Sequence, residues 1–265
     1  MTQEKAQILW NKQLGPTYFN MGLSCGTDYS LAIPGQFVMV RTVDGMDPIL
    51  RRPFSIHKII EKNAGTTGLE LLYRVVGAGT QELSKRQPGD VVDILGPLGR
   101  GFSVPANVRK IFIVAGGIGV APMPFLVSYL KAKQLDLTTS KVFLGGRSKN
   151  DLLCQAEFRA SGMTVHTTTD DGSSGDQCMV TDAFENEITF NRPDIIYACG
   201  PIEMLACICG IVEKHGLMCQ VSIESQMACG IGACLGCAVE NRKRPGYYLH
   251  VCKGGPVFDA SLLRI

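Results

Sequence analysis

Over roughly the first 100 residues, apolar positions come in short runs, GQFVMVR, RRPFSIHKI, GLELLYRVV and DVVDILGP, separated by clusters of Gly, Asp and Pro. Runs of this length bounded by turn residues predict β-strands packed as a sandwich or small barrel. From Lys110 the rhythm changes. IFIVAG precedes a helix near residues 121–133, KVFLGG precedes NDLLCQAEF, MTVHTTTD precedes a looser segment, and DIIYACG precedes PIEMLACICGIVEKHG, with MCQVSIE closing the series. Such alternation predicts a parallel sheet with crossover helices. After Glu224 the pattern fails. The remaining tail of about 40 residues holds glycines, cysteines and a basic turn, NRKRPG, with too few apolar positions for an independent core, so metal binding is expected to hold it together.

The run from Ile111 to Leu130 carries no charge and is long enough to suggest a membrane span. Gly116, Gly117, Gly119, Pro122 and Pro124 divide it instead into a strand, a turn and a helix start, so no membrane span is expected. The N-terminal MTQEKAQILWNKQLG lacks the apolar stretch of an export signal, which predicts a cytoplasmic location. With 265 residues, 45% of them hydrophobic, the chain can fill substantial cores. A formal net charge of +2 provides no footprint for a polyanion, and no nucleic-acid partner is expected. The 11 cysteines, without an export signal, read as thiols or metal ligands rather than a disulfide framework. Seven are scattered (Cys25, Cys154, Cys178, Cys199, Cys207, Cys209 and Cys219) and read mostly as small buried side chains.

Candidate chemistry gathers at strand ends. Gly116, Gly117 and Gly119 lie where a strand turns into a helix, so backbone N–H groups can face a phosphate. Pro122 replaces the third glycine of the full dinucleotide fingerprint, and the turn could equally serve tight strand-to-helix packing. Cys199 and Gly200 in YACGPIEM close a later strand, where ligands of open α/β sheets bind. In the β half, RRPFS starts a strand in which Pro53 rules out a fully paired central position. Alternation places Arg52 and Phe54 on one face and Ser55 on the other. LLYRVVGAGT supplies Leu72, Tyr73 and Arg74, then Gly77, Gly79 and Thr80 at the start of a short helix, a second candidate anion cradle. In GGRSKN, Arg147 and Ser148 could hold a 2′-phosphate, or Ser148 or Asn150 could cap the next helix.

Cys229, Cys234 and Cys237 have the spacing C-x4-C-x2-C, and Cys252 follows after 14 further residues. The first three match plant-type [2Fe-2S] spacing. Zinc ribbons show two C-x2-C pairs, and only one is present. Small residues around the thiols (Ala228, Gly230, Gly232, Ala233, Gly236 and Ala238) suit main-chain N–H groups approaching cluster sulfurs. An iron–sulfur cluster is the expected occupant, ahead of zinc and of metal-free buried thiols.

Taken in order, RPFS, YRVVGAGT, LGPLG, GGIGVAP and YACGP resemble the ferredoxin–NADP reductase superfamily over about residues 10–220. The resemblance implies an FAD-binding β-barrel over residues 1–104, an NAD-binding α/β domain with a parallel sheet over 105–223 and a small [2Fe-2S] segment over 224–265. It implies that Arg52, Pro53, Phe54 and Ser55 contact FAD, with the Arg near phosphate and the Ser near the reactive ring edge. Leu72, Tyr73 and Arg74 would line the flavin, and Gly79 with Thr80 would hold its pyrophosphate. Gly116, Gly117 and Gly119 would face the NAD pyrophosphate, with Cys199 and Gly200 near the nicotinamide, which makes Ser55 and Cys199 the catalytic candidates. With the C-terminal cysteines closing in CKGGPVFDA, the whole chain resembles a narrower family, the electron transfer subunits of B-type dihydroorotate dehydrogenases.

That narrower resemblance implies electrons passing from dihydroorotate to an FMN-containing catalytic subunit, through the cluster to FAD and out on NAD, in pyrimidine (UMP) biosynthesis. It implies a heterotetramer with two copies of each subunit and no acid–base chemistry on dihydroorotate within this chain. A related subunit serving a hydrogenase, a sulfite reductase or a transhydrogenase would share the same parts. A non-enzymatic redox sensor would give the nucleotide loops no purpose. The cysteine-rich segment and the basic turn, Arg242 to Arg244, are expected at the partner interface.

Overall fold

The computed structural model describes residues 1–26, 29–43, 45, 47–60 and 68–265. The short apolar runs are strands of a closed six-stranded antiparallel barrel: β1 (Thr2–Gln13), β2 (Tyr18–Ser24), β3 (Phe37–Arg41), β4 (Arg52–Ile60), β5 (Gly68–Arg74) and β6 (Val91–Leu98), joined in the order β1-β2-β5-β4-β3-β6. Val38, Ile56, Leu71 and Ile94 fill the interior and are fully buried. Between β5 and β6 lies the short helix α1 (Ala78–Ser84).

Hydrophobic patterning gives no sign of β1 and β2. Only Ala6 and Ile8 of β1 are buried, and its remaining positions are mostly polar. Yet β1 closes the barrel, pairing Thr2 with Gly96 of β6 at one end and Ile8 with Leu23 of β2 further along.

The second layer is a six-stranded sheet in which five strands, β7 (Ile111–Gly116), β8 (Lys141–Gly146), β9 (Thr164–Thr169), β10 (Ile195–Cys199) and β11 (Cys219–Ser222), run parallel. The intervening helices are α2 (Met123–Ala132), α3 (Gln155–Ala160), α4 (Val180–Phe190) and α5 (Ile202–His215). Every residue of β7 is buried, as expected for a strand covered on both faces. Pro122 and Pro124 sit at the start of α2, where a missing N–H leaves no bond unmade. Among the described residues no helix is long and apolar enough to cross a membrane. From β7 the chain winds outward to β8 and β9, then returns to place β10 and β11 on the other side, so the winding reverses between β7 and β10.

The tail forms a hairpin, β12 (Ala238–Glu240) and β13 (Tyr248–His250), a single helical turn α6 (Val251–Gly254), and β14 (Val257–Asp259). β14 is the antiparallel sixth strand of the second sheet, with Val221 opposite Phe258. Val251, Cys252, Phe258 and Leu263 join a core with Phe112, Val114 and Leu205, and Phe37, Met39 and Leu98 of the barrel reach the same core. The tail therefore takes its hydrophobic support from the other two units, so metal binding is not its sole anchor.

Candidate functional site

A cleft opens where β4 and β5 part. The two strands pair from Ile60 and Gly68 to Ile56 and Leu71. Beyond that point Leu72, Tyr73 and Arg74 pair only with β2, while Arg52 to Ser55 pair only with β3. Pro53 falls in this half-paired stretch, where its missing N–H breaks no ladder. Arg52, Pro53, Phe54 and Ser55 all line the cleft. Simple alternation would separate Ser55 from Arg52 and Phe54. They come together because the cleft runs along the free edge of β4, which side chains from both faces reach.

The opposite wall is Leu72, Tyr73 and Arg74, with Thr80 below. Tyr73 stacks on Phe19 at 5.5 Å, meets Phe54 edge-on at 5.7 Å and donates to Asn11 Oδ1 at 3.0 Å. Burial pushes its phenol above the ordinary range, so the wall is neutral and rigid. Arg74 lies 5.7 Å from the Tyr18 ring centre, and its Nε is buried without a partner among the described residues. A guanidinium with an unused buried donor fits an anionic ligand group. A Cβ on Gly79 would stand 3.2 Å from Arg52 Nε and 3.4 Å from the buried, unpartnered Thr42 Oγ1, so the glycine keeps this cradle open. The Thr80 hydroxyl accepts from the N–H groups of Val76 and Gly77 and donates to Gly77 O, fixing the loop before α1. These features fit a flavin dinucleotide, with an aromatic and apolar wall for the ring and arginines for the phosphates.

The second crevice lies at the reversal between β7 and β10, the position at which open α/β sheets bind ligands. A Cβ on Gly119 would come within 2.4 Å of Cys199 O, and Cβ atoms on Gly116 and Gly200 would strike the Met204 side chain at 2.7 and 2.4 Å. Packing against backbone thus requires the glycine at 119, whereas at 116 and 200 the Met204 side chain would have to move, and the close approach leaves backbone lining the crevice. Gly117 has φ +53° and open space around it. Gly145, Gly146 and Asp170 complete the far wall. Ser148 accepts from the Asn150 N–H at 3.3 Å as a cap, and Arg147 bonds Asp151 Oδ2 through its main-chain N–H at 3.0 Å and Nε at 3.4 Å.

The two clefts share Arg74, Val76, Ile118, Gly119 and Glu224, so ligands in them would meet. Cys199 lines the first cleft close to this junction. Burial pushes its thiol up to about 12, the Glu224 charge adds to this and the Ser222 hydroxyl opposes it. It is a neutral thiol, unsuited to act as a thiolate nucleophile. Glu224, whose carboxyl is raised by burial, is absent from the sequence-predicted set. Its place at the end of MCQVSIE, two residues past the carboxyl end of β11, is the signal that could have found it.

The four cysteines of the tail approach as two pairs. Cys237 and Cys252 sulfurs are 3.3 Å apart and buried. Cys229 Sγ accepts from the N–H groups of Ala233 at 3.3 Å and Cys234 at 3.4 Å, and Cys234 is exposed. Burial resists ionisation of Cys229, but N–H groups of Cys234, Ile231 and Ala233 outweigh it and bring the thiol down to about 6. Among the described residues, no three of these four sulfurs lie within 4.8 Å of one another. Around one tetrahedral zinc all four would be roughly 3.8 Å apart, so two pairs fit a two-iron cluster better. Gly230 and Gly232 have φ +72° and +82°, and a Cβ on Gly230 would meet Met39 at 2.5 Å.

The basic turn lies at the far end of a short hairpin from the cysteines. Ala238 pairs with His250 at the cysteine end of the hairpin and Glu240 with Tyr248 at the turn end, so Arg242 to Arg244 lie away from the cluster residues. Arg242 is ion-paired to Glu213 of α5 at 2.9 Å.

Residues 224–264 match a family described as the iron-sulfur cluster binding domain of dihydroorotate dehydrogenase B, and residues 113–210 match the oxidoreductase NAD-binding domain. The chain is 39% identical over 262 residues to the dihydroorotate dehydrogenase B (NAD(+)) electron transfer subunit of Desulforamulus reducens, covering 96% of this chain and 95% of that one. It is also 39% identical over 266 residues to the Enterococcus faecalis protein of the same name, covering 98% and 97%. Among solved structures, an NADH-dependent reduced ferredoxin-NADP oxidoreductase superposes with a TM-score of 0.83 at 27% identity, covering 98% of this chain and 89% of that one. A ferredoxin NADP+ reductase from Neisseria gonorrhoeae with bound FAD and NADP shares the fold, with a TM-score of 0.66 at 17% identity over 82% of this chain and 92% of that one. By sequence, fold and site, the chain belongs to the family of electron transfer subunits of dihydroorotate dehydrogenase B.

Proposed function

We propose that this chain carries electrons between the flavin of a dihydroorotate dehydrogenase catalytic subunit and NAD, through a [2Fe-2S] cluster held by Cys229, Cys234, Cys237 and Cys252 and an FAD held in the barrel cleft. The observation that carries this reading is the order of the three sites. Met227, two residues before Cys229, lines the flavin cleft, and the nucleotide crevice shares the cleft's other wall.

When bound, FAD exchanges two electrons with nicotinamide and single electrons with a cluster, which is why its site belongs between the other two. The chain's own residues bind and orient. Arg52 and Arg74 supply positive charge for phosphates, Tyr73 and Phe54 hold the ring wall, and Ser55 offers a hydroxyl at the ring edge. Gly116 to Gly119 and Gly200 leave backbone free beside the nucleotide, and the protonated Cys199 thiol lies with Glu224 where the two ligands meet. At the cluster, Cys237 and Cys252 are buried while Cys234 is exposed, so the Cys229–Cys234 side would face the partner. Asp170 in the wall of the crevice places a carboxylate that favours NAD over NADP, while Arg147 touches Asp151 through Nε alone.

The partner would be an FMN-containing catalytic subunit, in an assembly with two copies of each chain. A chain whose cysteines serve as thiols and cluster ligands suits a reducing, cytoplasmic setting. The test is anaerobic reduction. Protein carrying iron and FAD should bleach rapidly with NADH and stay oxidised with dihydroorotate until the catalytic subunit is added. Oxidation of dihydroorotate by this chain alone would overturn the assignment.

A further inference from the structure

His57, Cys154 and Glu157 lie outside all three sites. His57 is on β4, Cys154 immediately precedes α3, and Glu157 is in α3, so the group bridges the barrel and the nucleotide unit. One ring nitrogen of His57, Cys154 Sγ and one carboxylate oxygen of Glu157 all fall within 4.8 Å of one another. We propose that these three residues form a second metal site, for a zinc-class divalent cation, that clamps the barrel to the nucleotide unit.

Four features support a built site. His57 is 3% exposed, and its Nδ1 lies 2.7 Å from Ala121 O. A carbonyl on one ring nitrogen fixes the imidazole and leaves the other nitrogen as a ligand, the usual arrangement around protein-bound zinc. Second, Glu157 divides its oxygens: Oε1 takes the Lys58 ammonium, while Oε2 is buried without a partner among the described residues. Third, Cys154 adopts φ +62°, a left-handed backbone that a non-glycine residue rarely takes, and strain of this kind collects at ligand sites. Fourth, the charges suit a cation: Glu157 and neighbouring Glu70, set against Lys58, leave one net negative charge, and the Cys154 thiol, which burial and Glu157 keep protonated in the metal-free protein, would add a second on exchanging its proton for the metal.

Thiolate, imidazole and carboxylate together suit zinc, with three protein ligands and one position for water. Binding would release the Cys154 thiol proton to solvent and form one metal–sulfur, one metal–nitrogen and one metal–oxygen bond, with no change of oxidation state. Lys58 keeps Oε1, and the metal would take the place of the proton that the Cys154 thiol shares with the Glu157 carboxylate.

The test uses protein purified anaerobically with its flavin and cluster, incubated with zinc and passed through gel filtration. Wild type should retain one zinc per chain with iron content unchanged, and the zinc absorption edge should report one sulfur at ~2.3 Å with nitrogen or oxygen ligands at ~2.0–2.1 Å. Cys154→Ser and Glu157→Gln should each lose the retained zinc while keeping iron and flavin. No retention by wild type, undiminished retention in both variants, or an all-sulfur shell accompanied by iron loss would each overturn the proposal. The last of these would place zinc among the cluster cysteines instead.

Discussion

The Tyr18 phenol on β2 donates to Asp151 Oδ1 at 2.5 Å, tying the barrel to the nucleotide unit in the wall of the nucleotide crevice. Both side chains are buried, and Arg74 of the flavin cleft rests over the Tyr18 ring. Removing the hydroxyl leaves a buried carboxylate short of one donor. Tyr18→Phe should therefore lose about 1.5–3 kcal/mol, the usual worth of a hydrogen bond to a charged group. Flavin content should persist, because the ring under Arg74 remains. Urea denaturation with parallel flavin quantification checks both halves of the expectation.

Asp151 also sets an acid limit. Burial raises its pKa, but the Tyr18 hydroxyl and the Arg147 N–H and charge outweigh burial, so the folded-state value lies below the ordinary one. A depressed carboxylate contributes stability that is present above its unfolded pKa, about 3.9, and lost as pH falls through the folded value. The stability difference between wild type and Asp151→Asn should be full at pH ~6 and shrink below pH ~4. A difference that stays constant across that range would show that Asp151 is not held ionised by these partners.

Gly119 and Gly117 occupy one turn yet should respond differently. A Cβ on Gly119 would lie 2.4 Å from Cys199 O, a backbone atom that cannot swing away. Gly117 has φ +53° and only the Tyr18 hydroxyl within 4 Å, at 3.9 Å. Gly117→Ala should cost about 1–2 kcal/mol, the left-handed penalty alone. Gly119→Ala should cost more and weaken NADH binding, because it forces β7 and β10 apart at the crevice. Thermal melts and NADH titration of the two variants side by side decide the point.

Sequence order exposed much of this architecture, because glycines and cysteines sit where chain reversal and close approach demand them. Gly116, Gly119 and Gly200 illustrate the limit of that reading. Their spacing marked a crevice, but only their packing against Met204 and the end of β10 shows that structural need and ligand access coincide. β1 was illegible because closing a barrel is a matter of hydrogen bonds along two edges, and a mostly polar strand can make them. Alternation did not foresee that Ser55 would share a cleft with Arg52 and Phe54, because periodicity takes no account of where a neighbouring strand ends. Glu224 and the Tyr18–Asp151 bond were missed because both depend on contacts between units that sequence patterning treats separately.

The cluster's hold on the tail can be tested by removing it. The tail has two kinds of support: Cys229, Cys234 and Cys237 would hold the cluster together with Cys252, whereas Val257 and Phe258 belong to the second sheet and Phe258 to its core. If the metal organised the entire tail, chelation would release β14 together with the cysteine loop. Since the ladder of Ser222 to Val257 and Val221 to Phe258 needs no metal, the apo protein should lose amide protection over residues 228–237 and keep it at β14. Hydrogen exchange on protein stripped of iron separates the two outcomes. Cys234→Ser should reproduce the loop effect with a smaller change at Cys237 and Cys252, because those two are buried and packed while Cys234 is exposed. Exchange of β14 in step with the loop would mean that the metal, and not the shared core, holds the tail in place.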